Sequence, residues 1–464
     1  MHQKACVLLL MTLAAFAGCR VADGPPAGAK AALARPRPVD LHSISTDHDV
    51  IIEPAGVITL LDVLALALSR NPELGVYPYE LQAADARALQ AGLRPNPELE
   101  VEIEEFAGSG DRSGFDGAET TARIDQTIEL GGKRAKRARV AQFDRELTEW
   151  DYRASRLDVT RDATQAFVAV QAAQDRVALA RQVVELSEQA HAAVAQRVQA
   201  GRDSPVDELR ASVAVSTSRI ELQKTERTLA AARHALAAVW GGRAPSFEKV
   251  AGDLYEVPPP GVPEDLAAAI AENPDVARWE SQDRRQRAVL RLEQSNATPD
   301  VTVGGGVQRF EETDDSALVL GVGVPIPLFD RNQGGIREAT AELGKVRRQR
   351  EAVQARILTA LAEATNALTA SYEEATILRN DVLPKAEQAF GAARQGYEQG
   401  KFDYLYVLDA QRTLFDTQAG YIDAVEAYHK ASAQVRRLIG ALPAGEELSH
   451  SMLKPSSQED SHER

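Results

Sequence analysis

The side chains whose spacing could do chemistry are few, and carboxylates lead them. In Glu98-Leu99-Glu100-Val101-Glu102-Ile103-Glu104, acidic and apolar residues alternate strictly. On a strand, that period stacks Glu100, Glu102 and Glu104 on one face and the apolar residues on the other. A column of carboxylates lining a wet lumen would raise the local cation concentration. Other chemistry is scarce. No nucleophile–base set, P-loop or dinucleotide turn stands out, and Gly304-Gly305-Gly306 lies within a strand pattern, without the helix start that phosphate cradling needs. The eight His are scattered without zinc-site spacing, and three Met are too few for a thioether relay. The expectation is a protein that is not an enzyme, with no catalytic residues, no resident metal and no cofactor.

The two cysteines concern targeting. The residues from Ala5 to Phe16 form an apolar run the length of a signal-peptide core, after a weakly positive start at His2 and Lys4. Ala15-Phe16-Ala17 fits ordinary cleavage, whereas Ala17-Gly18-Cys19 fits a lipobox in which Cys19 becomes the acylated first residue. Phe16 stands where a lipobox usually has Leu. Cys6 lies inside the signal, so Cys19 would be the lone cysteine of an exported chain, which favours lipidation. Either reading predicts export and excludes structural disulfides.

The elements that would carry these residues are long helices and a few strands. Only 5% of the residues are aromatic, and Ala, Leu, Glu, Gln and Arg abound, a mixture suited to extended helices. A formal charge of −15 argues against nucleic acid as a partner. No apolar stretch after the N-terminus is long enough for a transmembrane helix.

The chain repeats itself at an offset near 200 residues. Arg70-Asn71-Pro72-Glu73-Leu74 returns as Glu272-Asn273-Pro274-Asp275-Val276, Pro97-Glu98-Leu99-Glu100-Val101 as Pro299-Asp300-Val301-Thr302-Val303, and Gly201 with Leu209 as Gly400 with Leu408. Each copy reads as helix, two strands, a very long helix, a turn and a returning helix. The first copy predicts a helix over 59–93 interrupted at Asn71-Pro72, and strands over 98–106 and 119–130. A long helix over 133–200 and a return after Pro205, capped by Asp203 or Ser204, complete it. The second predicts strands over 300–310 and 316–328, an unbroken long helix over 335–399 and a last helix over 403–440. The organisation is thus a signal peptide (1–18), a lipidated extended tether (19–56), two repeats (57–256 and 257–445) and a disordered tail (446–464).

Two readings compete for such parts. Strands with one apolar face suit a membrane barrel, and four strands cannot sit in lipid with open edges. Several subunits would have to pool them, and three would give twelve. The alternative is a lipid-anchored periplasmic coiled-coil scaffold without a pore, but it leaves unexplained why two strands precede each long helix, twice.

Two segments carry a family resemblance across about 57–442. Gln126-Thr127-Ile128-Glu129-Leu130-Gly131-Gly132-Lys133-Arg134 resembles the strand-to-helix junction of the TolC-type outer-membrane factors. Val324-Pro325-Ile326-Pro327-Leu328-Phe329-Asp330-Arg331-Asn332-Gln333-Gly334-Gly335 holds the equivalent place in the second copy and is similar to the heavy-metal branch, the outer-membrane partners of cobalt–zinc–cadmium exporters. The resemblance implies a homotrimer in outer-membrane lipid, with a shared twelve-stranded barrel continuing into a periplasmic tube of helices. It also implies passive conduction of heavy-metal cations as cargo, for an inner-membrane RND-type pump and a periplasmic adaptor. It further implies that the adaptor docks at the hairpin tips, where Arg197, Gly201, Leu209, Gly400, Leu405 and Leu408 match the family pattern. Arg197 stands where the second copy has Gly396, so the two tips are not equivalent.

Overall fold

A computed structural model describes residues 53–261 and 265–441. The signal segment, Cys19, the tether up to residue 52 and the tail lie outside the described residues. The first half begins with β1 (Gly56–Ile58) and α1 (Leu60–Arg70). A capping box opens α1: Thr59 and Asp62 each accept a hydrogen bond from the other's backbone N–H. Next come α2 (Tyr77–Ala91), the hairpin β2 (Glu98–Glu104) and β3 (Glu119–Ile128), α3 (Lys133–Gln199), α4 (Pro205–Ala238) and β4 (Phe247–Val250). The second half runs α5 (Leu266–Ala269), α6 (Pro274–Asn296), β5 (Val301–Phe310), β6 (Asp315–Gly323), α7 (Gln333–Ile377), α8 (Leu383–Glu398) and α9 (Tyr404–Ile439). The 67 residues of α3 span about 100 Å at 1.5 Å per residue.

The repeat is structural as well as textual, and the Asn-Pro pairs show it. Asn71 Nδ2 donates to the carbonyl of Val239 at 2.7 Å, and Asn273 Nδ2 donates to the carbonyl of Leu438 at 2.7 Å. In each copy the same Asn oxygen accepts from the N–H two residues on, at 2.9 Å from Glu73 and 2.8 Å from Asp275. The side chain therefore stops one helix, starts the next and ties both to the end of the returning helix. Around these ties lie two cores, one on Val63, Phe167, Leu236, Trp240 and Phe247, the other on Ile270, Leu361, Tyr428 and Leu438.

Several boundaries differ from the sequence reading. The second long helix is not unbroken: a π-helical turn at Leu378–Val382 separates α7 from α8. Pro384 has no N–H to donate and its ring crowds the carbonyl one turn earlier, so the ladder widens by a residue ahead of it. β6 stops at Gly323, not at 328, because Pro325 and Pro327 cannot extend a hydrogen-bonded ladder. β2 ends at Glu104 because Glu105 and Ala107 both take positive φ. A parallel pairing of β1 with β4 was not foreseen; it joins Ile58 to Val250 and closes the core over Trp240.

The layers follow one order. The sheet runs β2-β3-β5-β6, all antiparallel. Toward the hairpin ends the helices run α4-α3-α9-α8 by packing. Both layers are open: first-half elements β2 and α4 form one border, second-half elements β6 and α8 the other.

Candidate functional site

Two places concentrate exposed, chemically distinctive side chains: the faces of the four-stranded sheet and the two hairpin tips. Cross-strand partners point to the same side of a sheet, so the register assigns each face. Glu98, Glu100, Glu102 and Glu104 pair with Asp125, Arg123, Thr121 and Glu119. Continuing across, Asp125, Arg123 and Thr121 pair with Gly304, Gly306 and Gln308. That face is polar and strongly acidic. The intervening rows carry Leu99, Val101 and Ile103 beside Ile124, Ala122 and Thr120, then Val303, Gly305 and Val307, then Leu318, Leu320 and Val322, with Gln126 at one end of this face and Arg309 and Ser316 at the loop end. The apolar face is bare in the single chain, with Leu318 83% and Leu320 88% exposed. So the three predicted acidic residues share one face. Arg123 interrupts their column, its guanidinium 2.7 Å from Glu100 Oε2 and 2.9 Å from Asp125 Oδ2.

At the strand-to-helix junctions, polar side chains take over from the ladder. Lys133 Nζ donates to Asp300 Oδ1 at 2.8 Å, and the N–H of Leu130 donates to the same oxygen at 3.0 Å. These bonds tie the start of α3 to the start of β5. Gly131 and Gly132 both take positive φ there, a corner that a β-carbon would strain.

Both tips close by the same backbone device. At the end of α3, the N–H of Gly201 donates to the carbonyl of Val198 (2.9 Å) and that of Arg202 to the carbonyl of Arg197 (2.9 Å). At the end of α8, Gly400 donates to Tyr397 (2.9 Å) and Lys401 to Gly396 (2.8 Å). This is the Schellman pattern, and Gly201 and Gly400, each at φ +70°, supply its left-handed residue. Ser204 caps α4, its Oγ accepting from the N–H of Val206 at 3.2 Å.

The side chains then diverge between the tips. In the first, Arg197 grips Asp203 through Nε (2.9 Å) and Nη2 (3.1 Å). In the second, the corresponding positions are Gly396 and Phe402, and a β-carbon on Gly396 would collide with the Phe402 ring. Asp203 also accepts from the Tyr397 hydroxyl of the other hairpin, and the Arg197 guanidinium lies 4.5 Å from the Tyr397 ring centre. Hydrogen bonds from Arg197 and then Tyr397 hold the Asp203 carboxyl below its ordinary value. Burial first and Asp203 second push the Tyr397 hydroxyl up, and burial pushes Tyr404 up to about 12. Beneath this triad a small core of Val194, Ala211, Ala393, Tyr397, Tyr404 and Val407 joins the hairpins.

The predicted tip residues sort into three roles. Gly201 and Gly400 turn the chain. Arg197 is turned inward onto Asp203, and Leu408 packs against the small core. Leu209 and Leu405 are exposed, and sequence reasoning missed their exposed neighbours Val206, Val213, Phe402 and Tyr406. The signal was available in Val206, Leu209 and Val213, an i, i+3, i+7 stripe on a face turned away from the buried Ala211 and Val215. Among the described residues no helix is long and apolar enough to cross a membrane, and no group of three or more His, Cys, Asp or Glu could hold a metal ion.

A sequence model of the family described as "Outer membrane efflux protein" matches residues 63–242 and 266–441. The chain is 36% identical to the cobalt-zinc-cadmium resistance protein CzcC of Cupriavidus metallidurans over 388 residues, 84% of this chain and 91% of that one. It is 28% identical to the nickel and cobalt resistance protein CnrC of the same organism, covering 63% of this chain and 69% of that one. Among solved structures, a membrane protein from Pseudomonas aeruginosa superposes with a TM-score of 0.72 at 22% identity, covering 82% of this chain and 92% of that one. CusC superposes with a TM-score of 0.71 at 19% identity and the same coverage.

Proposed function

The chain belongs to the outer membrane efflux protein family, and on that premise we propose that it is the passive exit duct of a tripartite efflux system for heavy-metal cations. The duct is a homotrimer. Three four-stranded sheets close into one twelve-stranded barrel, β6 of each subunit pairing with β2 of the next, and α8 of each meets α4 of the next in a tube. One observation carries this reading: an open sheet with a bare apolar face, whose two unpaired edges lie in the same order as the two unpartnered helix edges. In lipid, an open edge leaves backbone groups unsatisfied at several kcal/mol each, so the edges demand copies of themselves.

The remaining assignments follow the same frame. The apolar face meets outer-membrane lipid and the acidic face lines the lumen, with Glu100, Glu102 and Glu104 attracting cations. A periplasmic adaptor seats against the exposed apolar residues of the tips, Leu209 and Leu405 with their neighbours, and an inner-membrane RND-type pump supplies the energy. The duct performs no catalysis. Metal cargo is proposed from the relatives, whose names refer to cobalt, zinc, cadmium and nickel. Cys19 anchors the mature chain through acylation.

The test is the mass of the detergent-solubilised protein together with single-channel conductance in planar bilayers. A trimer that inserts and passes current supports the duct. A monomer or dimer that neither binds detergent nor inserts overturns it and favours a periplasmic coiled-coil scaffold.

A further inference from the structure

We propose that Arg123 sets the cation behaviour of the acidic wall by occupying the place where Glu100 and Asp125 would otherwise jointly hold a divalent cation; the proposal rests on the duct reading, which puts this face in the lumen. Two independent features point to it. The first is geometric. Arg123 Nε lies 2.7 Å from Glu100 Oε2 and 2.9 Å from Asp125 Oδ2, with Nη2 also 2.7 Å from Glu100 Oε2, so both oxygens converge on the guanidinium. Glu98 is the Cα partner of Asp125. Convergent carboxylate oxygens are what a hard or borderline divalent cation binds, needing only a small side-chain rotation to reach 2.0–2.2 Å from the ion.

The second feature is on the neighbouring strand. Gly304 and Gly306 are the cross-strand partners of Asp125 and Arg123. A β-carbon on Gly304 would strike the Asp125 carboxylate, whereas one on Gly306 would first strike the backbone carbonyl of Ala122 and the Cα of Arg123, so Gly306 serves the close approach of the two strands. Gly304 thus leaves room for the Asp125 carboxylate to lean across β5. Glycine weakens a strand interior, so one placed against the Asp125 carboxylate marks room that this side chain uses. This accounts for Gly304 within a glycine run that phosphate binding does not explain.

The functional consequence concerns throughput. A duct conducts when its wall attracts ions but releases them readily. Glu102, Glu104 and Glu119 remain toward the loop end of the sheet to attract cations. Arg123 removes the position where Glu100 and Asp125 would grip an ion. In the trimer, three such guanidinium groups stand at one height of the barrel.

The experiment is single-channel recording of the full-length trimer in planar bilayers, with ZnCl2 titrated into the bath. Arg123→Gln is blocked at a Zn2+ concentration about tenfold or more below the one that blocks the wild type, as a two-carboxylate site implies. The double variant E100Q/R123Q loses one ligand and recovers the wild-type response. If R123Q fails to yield trimers, Arg123→Met keeps most of the stem volume and takes its place. Zn2+ leaving the single variant's current unchanged, or blocking single and double variants alike, overturns the proposal. A wild-type protein that never conducts overturns the duct reading itself, a distinguishable failure.

Discussion

Asp203→Asn tests how the tips are held. Asp203 accepts two bonds from Arg197, at 2.9 and 3.1 Å, and one from the Tyr397 hydroxyl, and its side chain is only 10% exposed. Hydrogen bonds to a charged group contribute about 1.5–3 kcal/mol. The amide keeps the shape but loses the charge and one acceptor, so the tip should open more easily by about that amount. At 1.36 kcal/mol per decade, hydrogen exchange of the tip amides should accelerate roughly 10- to 150-fold. Because Tyr397 belongs to the second hairpin, the effect should reach both 194–211 and 393–408, while the cores around Trp240 and Leu361 stay protected. Tyr397→Phe should reproduce part of it, and the two substitutions together should be less than additive. The carboxyl titrates below its ordinary 3.8 in the folded tip. Its contribution is therefore complete above that value and lost as pH falls through the lower, folded one, and Asp203→Asn removes this dependence. Unchanged exchange in the variant, or an effect confined to the first hairpin, would refute the reasoning.

Three further expectations follow from placement. Leu320→Arg puts a charge in mid-strand on the apolar face; at about 2–4 kcal/mol near a bilayer midplane it should deplete the protein from outer-membrane fractions, whereas a soluble scaffold with Leu320 already 88% exposed would tolerate it. Arg437 is buried and holds Asp158 at 2.8 Å and Asp275 at 2.7 Å, so Arg437→Met should cost about 2 kcal/mol or more and lower the temperature at which the detergent-solubilised assembly melts. Cys19→Ser should abolish incorporation of labelled palmitate; undiminished labelling would place the acyl group elsewhere, and an unlabelled wild type would remove it from the account.

What the sequence disclosed depended on how local the cause was. The ends of α3 were legible because Gly-Gly and Gly201 are backbone signals that act within a few residues. The faces of β2 were legible because a two-residue period needs no partner to be read. The β1–β4 pairing was not, since three and four residues brought together across 190 positions leave no periodic trace. The π turn before Pro384 was missed because the helical pattern resumes after it, and one proline within a long apolar period is easily absorbed. Asp203 was read as a possible cap; Ser204 does that work, and Asp203 is taken by two partners, one from the other hairpin, which no local rule could supply. Arg123 was overlooked for the same reason: its meaning lies in the strands on either side.

The repeat itself explains why the tips could diverge. The Schellman turns are identical in the two copies because they depend on backbone and glycine alone, so the side chains at Arg197/Asp203 and Gly396/Phe402 were free to change together. They did so as pairs: a guanidinium facing a carboxylate in one copy, an absent side chain facing a ring in the other. A mixed pair fails in either direction, since Arg facing Phe leaves a charge without its acceptor and a side chain at 396 evicts the ring. The outer surfaces then differ as well. The first tip offers the aliphatic stripe of Val206, Leu209 and Val213, the second the Phe402 and Tyr406 rings, tilted against each other with centres 5.5 Å apart, and Leu405. A trimer built from such chains presents six tips of two alternating kinds. An adaptor contacting all six must use two binding modes, and a partner specific for one kind would bind three per duct.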